Sequence, residues 1–429
     1  MRRVLVATLA ALTAVAAWAL PAPDTGAGEV APVVDIPAGT RAGVWFCPGA
    51  AGEVDPILTA AVLSTGLVGF SLPMDGEILD GFQSRVEPGV AQWDVGDGLF
   101  FHPGPATVET SSSPSAASVL LRGPGRLGAD GCYTAAKEWF LNGASVDTSR
   151  SLTLRLFNPL LEQGRVELEV VSEFGFEPLL DLESVGIAPR SWEDVSLSLA
   201  LGTREQVAVR VTVIEGVVIP SMYETSPAGL AVWPGESPSA VWEFPRAQLD
   251  GTSGLISVWN PGTDPAQVSI ELNGVRGPVG RFEIEVAPGR EERFDVSEVT
   301  TLGVGAVVTS SGAVVAVARS DAEGKTAAAA GAARPRTRWL VPAHNSAPDL
   351  TFEVFVLNSG DEPVTVTAGA IGGDPGDPVE VPARATARVL VAGRGADISA
   401  SGPVSVAWAV TGASDPGLAL AVPIEAAGP

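Results

Sequence analysis

Histidine is nearly missing from this chain: among 429 residues only His102 and His344 occur, far apart in sequence. No pair of imidazoles at metal-ligand spacing exists, and no Gly-x-Ser-x-Gly elbow accompanies either residue. Both read as surface or turn residues. Lysine is as scarce, with Lys137 and Lys325 alone, and the balance of 26 Lys and Arg against 50 Asp and Glu leaves a net charge of −24. A field of that sign repels nucleic acid and anionic membrane surfaces, so neither is expected as a partner, and it favours solubility. Charged residues make up only 18% of the chain and apolar ones 46%, which argues for packed cores rather than disorder. No stretch after the N-terminal segment is long and apolar enough to span a bilayer.

Cys47 and Cys132 are the only cysteines. In an exported chain an even count favours a disulfide, and this pair brackets the first sequence block described below. Two separate buried thiols are the alternative.

Export is argued from the N-terminus. Arg2 and Arg3 precede an uncharged run from Val4 to Leu20, and Ala17-Trp18-Ala19 places small residues where a signal peptidase cuts. Residues 1–22 thus read as a signal peptide or as an uncleaved membrane anchor. Either way the rest is expected outside the cytoplasm, secreted or held on the outer face of the membrane, which it would touch only through that segment. Residues 23–41 form a Pro- and Ala-rich linker.

Gly and Pro, 49 and 35 residues, punctuate short apolar runs throughout, as turns do in all-β proteins. Four blocks open with a Trp: Trp45-Phe46-Cys47-Pro48, Trp139-Phe140-Leu141-Asn142, Trp242-Glu243-Phe244-Pro245 and Trp339-Leu340-Val341-Pro342, spaced 94, 103 and 97 residues apart. That period is the length of an immunoglobulin-like sandwich. In the last three blocks a strand-like run ends at Asn158, Asn260 or Asn358, 18 or 19 residues after the Trp. Asn and the Pro that follows it in two cases are expected to end a strand and open a turn. The expected fold is all-β: tandem antiparallel immunoglobulin-like β-sandwich repeats of about seven strands each, at 42–132 (degenerate), 137–226, 240–320 and 337–425. A linker at 321–336 separates the last two, with Ala327 to Ala330 as a short surface helix in the alternative. Trp45, Trp139, Trp242 and Trp339 are expected to pack the repeat cores.

The Trp-Phe-Cys-Pro-Gly opening at residues 45–49, the later Cys132 near Trp139-Phe140, and the strand-Asn-Pro blocks together resemble a family of uncharacterised secreted proteins of actinobacteria, catalogued as a domain of unknown function. The resemblance runs roughly from residue 41 to 425. It implies an extracytoplasmic location near cell-envelope glycan assembly and brings no catalytic or binding residues.

Carboxylates are the remaining route to catalysis, since a glycoside hydrolase needs only two. Glu167 with Glu169, and Glu283 with Glu285, alternate with apolar residues and share strand faces; a solvated face explains both. The run Gly373 to Pro378 reads as a turn rather than a calcium loop. Trp93, Trp192, Trp233, Trp259 and Trp408 read as packing residues before glycan platforms. No catalytic, cofactor-binding or metal-binding residue is assigned. The expected function is a non-catalytic structural, scaffold or interaction protein of the cell envelope, shaped as a rod of sandwiches, with an unknown envelope protein or glycan as partner. A glycan-binding accessory protein for envelope polysaccharide assembly is the second reading, and an acid-pair glycoside hydrolase the third.

Overall fold

The computed structural model describes residues 43–423, apart from stretches at 51–53, 75, 80–82, 96–103, 113, 180–181, 228, 323–324, 343–349, 392–394, 412–415 and 421. The N-terminal export segment, the 23–41 linker, His102 and His344 lie outside the described residues. Within them the fold is all-β and the strands pair antiparallel. Among the described residues helix is confined to Leu197–Leu201, a 3-10 turn at Val296–Glu298 and the single 3-10 residue Leu182.

Residues 138–234 show the plan. Strands Glu138–Val146, Arg204–Glu215, Gly164–Ser172 and Val185–Ile187 pair in that order. A second sheet is ordered Ser191–Ser196, Ser151–Asn158, Ile219–Ser226 and Gly229–Pro234. With the short strand Gly175–Glu177 counted as an extension of Gly164–Ser172, with which it pairs, these are strands 1-6-3-4 and 5-2-7-8 in chain order. The same two orders occur at 44–131, 239–330 and 336–423. In the last two groups the sixth and seventh positions are one unbroken strand, Val304–Ala322 or Ala396–Thr411, which passes from one sheet to the other.

Period-two patterning sets the faces. In Gly164–Ser172, Val166, Leu168 and Val170 point inward while Arg165, Glu167 and Glu169 are exposed. Trp45, Trp139, Trp242 and Trp339 are all buried, each in a different one of four large apolar cores. The indoles of Trp242 and Trp339 also donate to the carbonyls of Val314 and Val404, at 2.8 Å each.

The three Asn landmarks work differently from a simple strand stop. Asn158, Asn260 and Asn358 are the last residues of extended strands and are themselves buried. Each side-chain amide donates across the following loop, at 2.8 Å, to the carbonyl of Glu162, Asp264 or Glu362, and also to a carbonyl before the fifth strand. Each amide oxygen accepts a backbone N–H two residues on, at 3.0 Å. Donor and acceptor on one short side chain thus satisfy backbone groups that no ladder reaches.

Three expectations change. The 321–336 linker contains the strand Lys325–Ala330, which pairs with Val317–Ala322. Ala ranks low for strands, but Ala327 to Ala330 are buried where neighbouring strands crowd together, and only small side chains fit there. An eighth strand likewise extends the second group to Pro234, beyond the expected end at 226. The expected rod is also overturned, because these eighth strands meet in a cycle. Arg126–Gly131 packs on Gly229–Pro234, that on Lys325–Ala330, that on Pro416–Leu420, and that on Arg126–Gly131 again. The cores also interlock: Tyr223, Leu230 and Val232 belong to the first core, Val317 and Ala328 to the second, and Leu120, Leu127 and Ala129 to the fourth, each from the next group round the cycle, while the third takes Phe140 and Ala208 from the group before it. Gly128 lets the strands approach closely at this centre, since a Cβ there would lie 3.2 Å from the Leu230 side chain.

Cys47, in the first strand, and Cys132, just after the eighth, form a disulfide with their Cα atoms 4.3 Å apart and a sequence separation of 85. Replacing both with Ser is expected to lower the unfolding free energy by about 4 to 5 kcal/mol, the chain-entropy value for a loop of this length. Urea denaturation of the two forms checks this, and coincident midpoints would contradict it.

Candidate functional site

Where consecutive groups meet, buried arginines face the neighbouring backbone, and the three described cases differ. At the first contact Arg155 donates through Nε and Nη2 to Asp194, both at 2.7 Å, and through Nη1 to the carbonyl of Ala50 at 2.6 Å. Its guanidinium lies 5.1 Å from the Tyr223 ring, and the Tyr223 hydroxyl donates to the Gly49 carbonyl at 2.8 Å. At the second contact Arg319, 1% exposed, grips Glu224 through both terminal nitrogens, at 2.8 and 2.7 Å, and donates to the Gly143 carbonyl at 2.6 Å. Tyr223 and Arg319 hold equivalent positions, opposite Thr153 and Leu255, each five residues before its Asn. Burial opposes both charges, but the anionic and phenolic neighbours more than offset it and hold Arg155 and Arg319 above the usual arginine range.

The third contact departs from this pattern. Opposite Glu353 the equivalent residue is Ala409, so no guanidinium comes from that strand. Arg246 supplies it instead, four residues after Trp242, where the earlier blocks have Gly49 and Gly143. Arg246 is 7% exposed and lies 4.6 Å over the Phe355 ring. Among the described residues its single hydrogen bond runs from Nη2 to Asp250, at 2.6 Å, and its Nε has no acceptor. Asp250 in turn accepts the Gly303 N–H at 2.6 Å, and a Cβ on Gly303 would sit 1.8 Å from Arg246 Nη2. Desolvation pulls the Arg246 guanidinium below its usual range, and Asp250 offsets this only in part.

Arg246 forms one wall of a cleft of about 450 Å³ between the third and fourth groups. Phe355, Glu353 and Arg388 line the far side, and Val275, Val279 and Leu302 form an exposed apolar lip. Arg388 is paired with Glu353 at 2.6 Å. A neighbouring cleft of about 300 Å³ has its charges largely matched internally, Arg384 by Glu271 and Arg281 by Glu283. Chemically, the larger cleft offers a partly satisfied guanidinium beside apolar surface, which suits ligand binding.

The carboxylate pairs singled out in sequence do not enter it. Glu167, Glu169, Glu283 and Glu285 are exposed on strand faces; Glu169 lies 3.7 Å from Arg210, and Glu285 accepts from Gln267 at 2.6 Å. Gly373 to Pro378 form an exposed turn, and no cluster of three metal-ligating side chains occurs among the described residues. Trp233, Trp259 and Trp408 are buried, while Trp93 and Trp192 are partly exposed. Sequence reading missed Arg246. Its signal was the third block's departure from Gly at a position four residues after the Trp.

One buried acidic cluster lies at the first contact. Asp130 accepts the Tyr133 hydroxyl and the Gly131 N–H, and burial with Glu236 nearby raises its pKa. Glu236, half-buried as a residue, has its carboxyl shielded by the protein, which pushes its pKa from 4.5 up to about 7. The folded chain therefore holds this proton more tightly than the unfolded one. Its stabilising contribution is full below about pH 4.5 and is lost as pH rises through about 7. Glu236→Gln is expected to flatten the decline in urea midpoint between about pH 5 and pH 8; an unchanged slope would count against it. At the second contact, Glu224→Gln is expected to cost about 3 to 5 kcal/mol by leaving buried Arg319 with only its longer carboxylate contact, to Asp321 at 3.4 Å, and joint replacement by Arg319→Met and Glu224→Leu to recover much of it. Denaturation of the single and double variants measures both.

A family of unknown function (DUF5719) has a model that matches residues 107–392. Among solved structures, the crystal structure of Thermotoga maritima 1070 is 14% identical, covering 22% of this chain and 94% of its own, with a TM-score of 0.21. The crystal structure of Streptomyces avermitilis alpha-L-rhamnosidase complexed with L-rhamnose is 10% identical, covering 84% of this chain and 56% of its own, with a TM-score of 0.16. Neither superposition is close enough to carry an argument. No curated protein matches.

Proposed function

From the premise that the chain belongs to this family of unknown function, we propose that it is a non-catalytic, extracytoplasmic interaction protein of the cell envelope: four sandwiches closed into one rigid platform that binds through its surface. The observation that carries this reading is the cyclic packing of the four groups. Their buried ionised side chains serve contacts between groups, as Arg155, Arg319, Glu224 and Glu243 do, rather than converging on one reaction centre. Export is supported by the Arg-led apolar N-terminus and by a disulfide suited to an oxidising compartment.

Each group is read as one copy of an eight-strand sandwich, at the sequence period of about one hundred residues. The strand order 1-6-3-4 and 5-2-7-8 differs from the immunoglobulin order, in which the first strand pairs with the second and the seventh with the sixth. The resemblance to immunoglobulin domains is thus one of layer architecture.

The test incubates the purified protein with envelope polysaccharides and lipid-linked sugar donors. Binding without turnover is the expected outcome, and saturable polysaccharide binding would identify the glycan-binding variant of the reading. Turnover abolished by changing a single Asp or Glu would overturn it.

A further inference from the structure

We propose that the cleft between the third and fourth groups is a binding site for a small monocarboxylate joined to an apolar group, with Arg246 as the residue that receives the carboxylate. This names a ligand class for the platform described above and rests on that reading.

Three equivalent contacts along one chain provide an internal control. At two of them the interface guanidinium is held by a bidentate carboxylate and a carbonyl: Arg155 through Nε and both terminal nitrogens, Arg319 through its two terminal nitrogens, with Nε alone left without an acceptor. At the third, Arg246 is as deeply buried but is bound by one oxygen of Asp250, a side chain 74% exposed. A buried guanidinium short of acceptors is costly, and the position is kept open by specific means. Gly303 leaves room for the guanidinium, and Phe355 supplies a flat surface beneath it. Where the second contact packs its Arg against the neighbouring carbonyl, this one leaves a cleft of about 450 Å³. That volume suits a small organic molecule.

The shape of the cleft sets the class. A guanidinium fork with spare donors selects a planar carboxylate. The exposed side chains of Leu302, Val275 and Val279 at its lip offer apolar surface to whatever the carboxylate is attached to. Glu353 and Asp250, with the net charge of −24, disfavour multiply charged anions.

Isothermal titration of the full chain with N-acetyl-L-leucine, N-acetyl-L-leucinamide and hexanoate tests the proposal. N-acetyl-L-leucine is expected to bind saturably, with the amide at least about tenfold weaker. A preference over hexanoate would point to a peptide end as the source, and the reverse to an acyl chain. Leu302→Asp, on the exposed lip, is expected to weaken the acid at least about tenfold with the melting midpoint unchanged. Asp250→Asn frees Nη2 and is expected to tighten it, an effect that a purely structural Arg246 would not produce. Arg246→Lys is expected to erase the preference of acid over amide. Should that variant fail to fold, the Leu302 and Asp250 variants still decide. Equal affinity for acid and amide, no saturable binding of either acid, or weaker binding by Asp250→Asn would overturn the proposal. Hydrolysis of N-acetyl-L-leucine to leucine and acetate would instead overturn the non-catalytic reading while leaving the site in place.

Discussion

Every group places its eighth strand at the edge of its second sheet, and covering those four edges is the constraint on which the structure depends. An exposed edge offers unpaired backbone to any passing strand. Here Arg126–Gly131, Gly229–Pro234, Lys325–Ala330 and Pro416–Leu420 cover one another in a cycle. The composition of these strands follows from the crowding. Gly128 and the run Ala327 to Ala330 are small because a larger side chain would meet the neighbouring strand. Burial of Leu230 and Val232 in a core built mainly from the preceding group then makes each group part of its neighbour's interior.

The cycle forces polar backbone into dry contacts, which explains the buried arginines. Carbonyls of Gly49, Ala50 and Gly143, near the openings of the first strands, face the next group and need donors. The Tyr223 phenol and the Arg319 guanidinium meet that need from equivalent positions, and the Arg155 guanidinium from another. Charges so deeply buried add little net stability, yet Arg319 with Glu224 fits only one arrangement of the second and third groups, so the pair specifies geometry.

The layer class and the inner Trp positions were legible in sequence because both follow from local rules: strand periodicity, turn residues, and a bulky aromatic at a fixed phase. The Cys47–Cys132 pair was legible from its count and its bracketing of one block. The eighth strand was not, since Ala-rich Lys325–Ala330 has no strand-like composition and owes its state to neighbours distant in sequence, Gly229–Pro234, Pro416–Leu420 and Arg126–Gly131. The Asn residues were found at the right places for an incomplete reason; their role is a side-chain clip that only the folded loop shows. Arg246 stayed hidden because its significance lies in the difference between contacts, and that requires knowing which positions are equivalent.

Closure within a single chain has a further consequence. Four identical subunits in a closed ring would be obliged to share one contact, since rotational symmetry repeats any residue choice four times. Joining the four units covalently releases that obligation. A polar partner can be placed on one side of a contact here and on the other side there, as the shift from Tyr223 and Arg319 to Arg246 illustrates. One joint can then be left less than fully filled while the joints at Arg155 and Arg319 are closed, so that architecture built by repetition can still hold a feature that occurs at a single place.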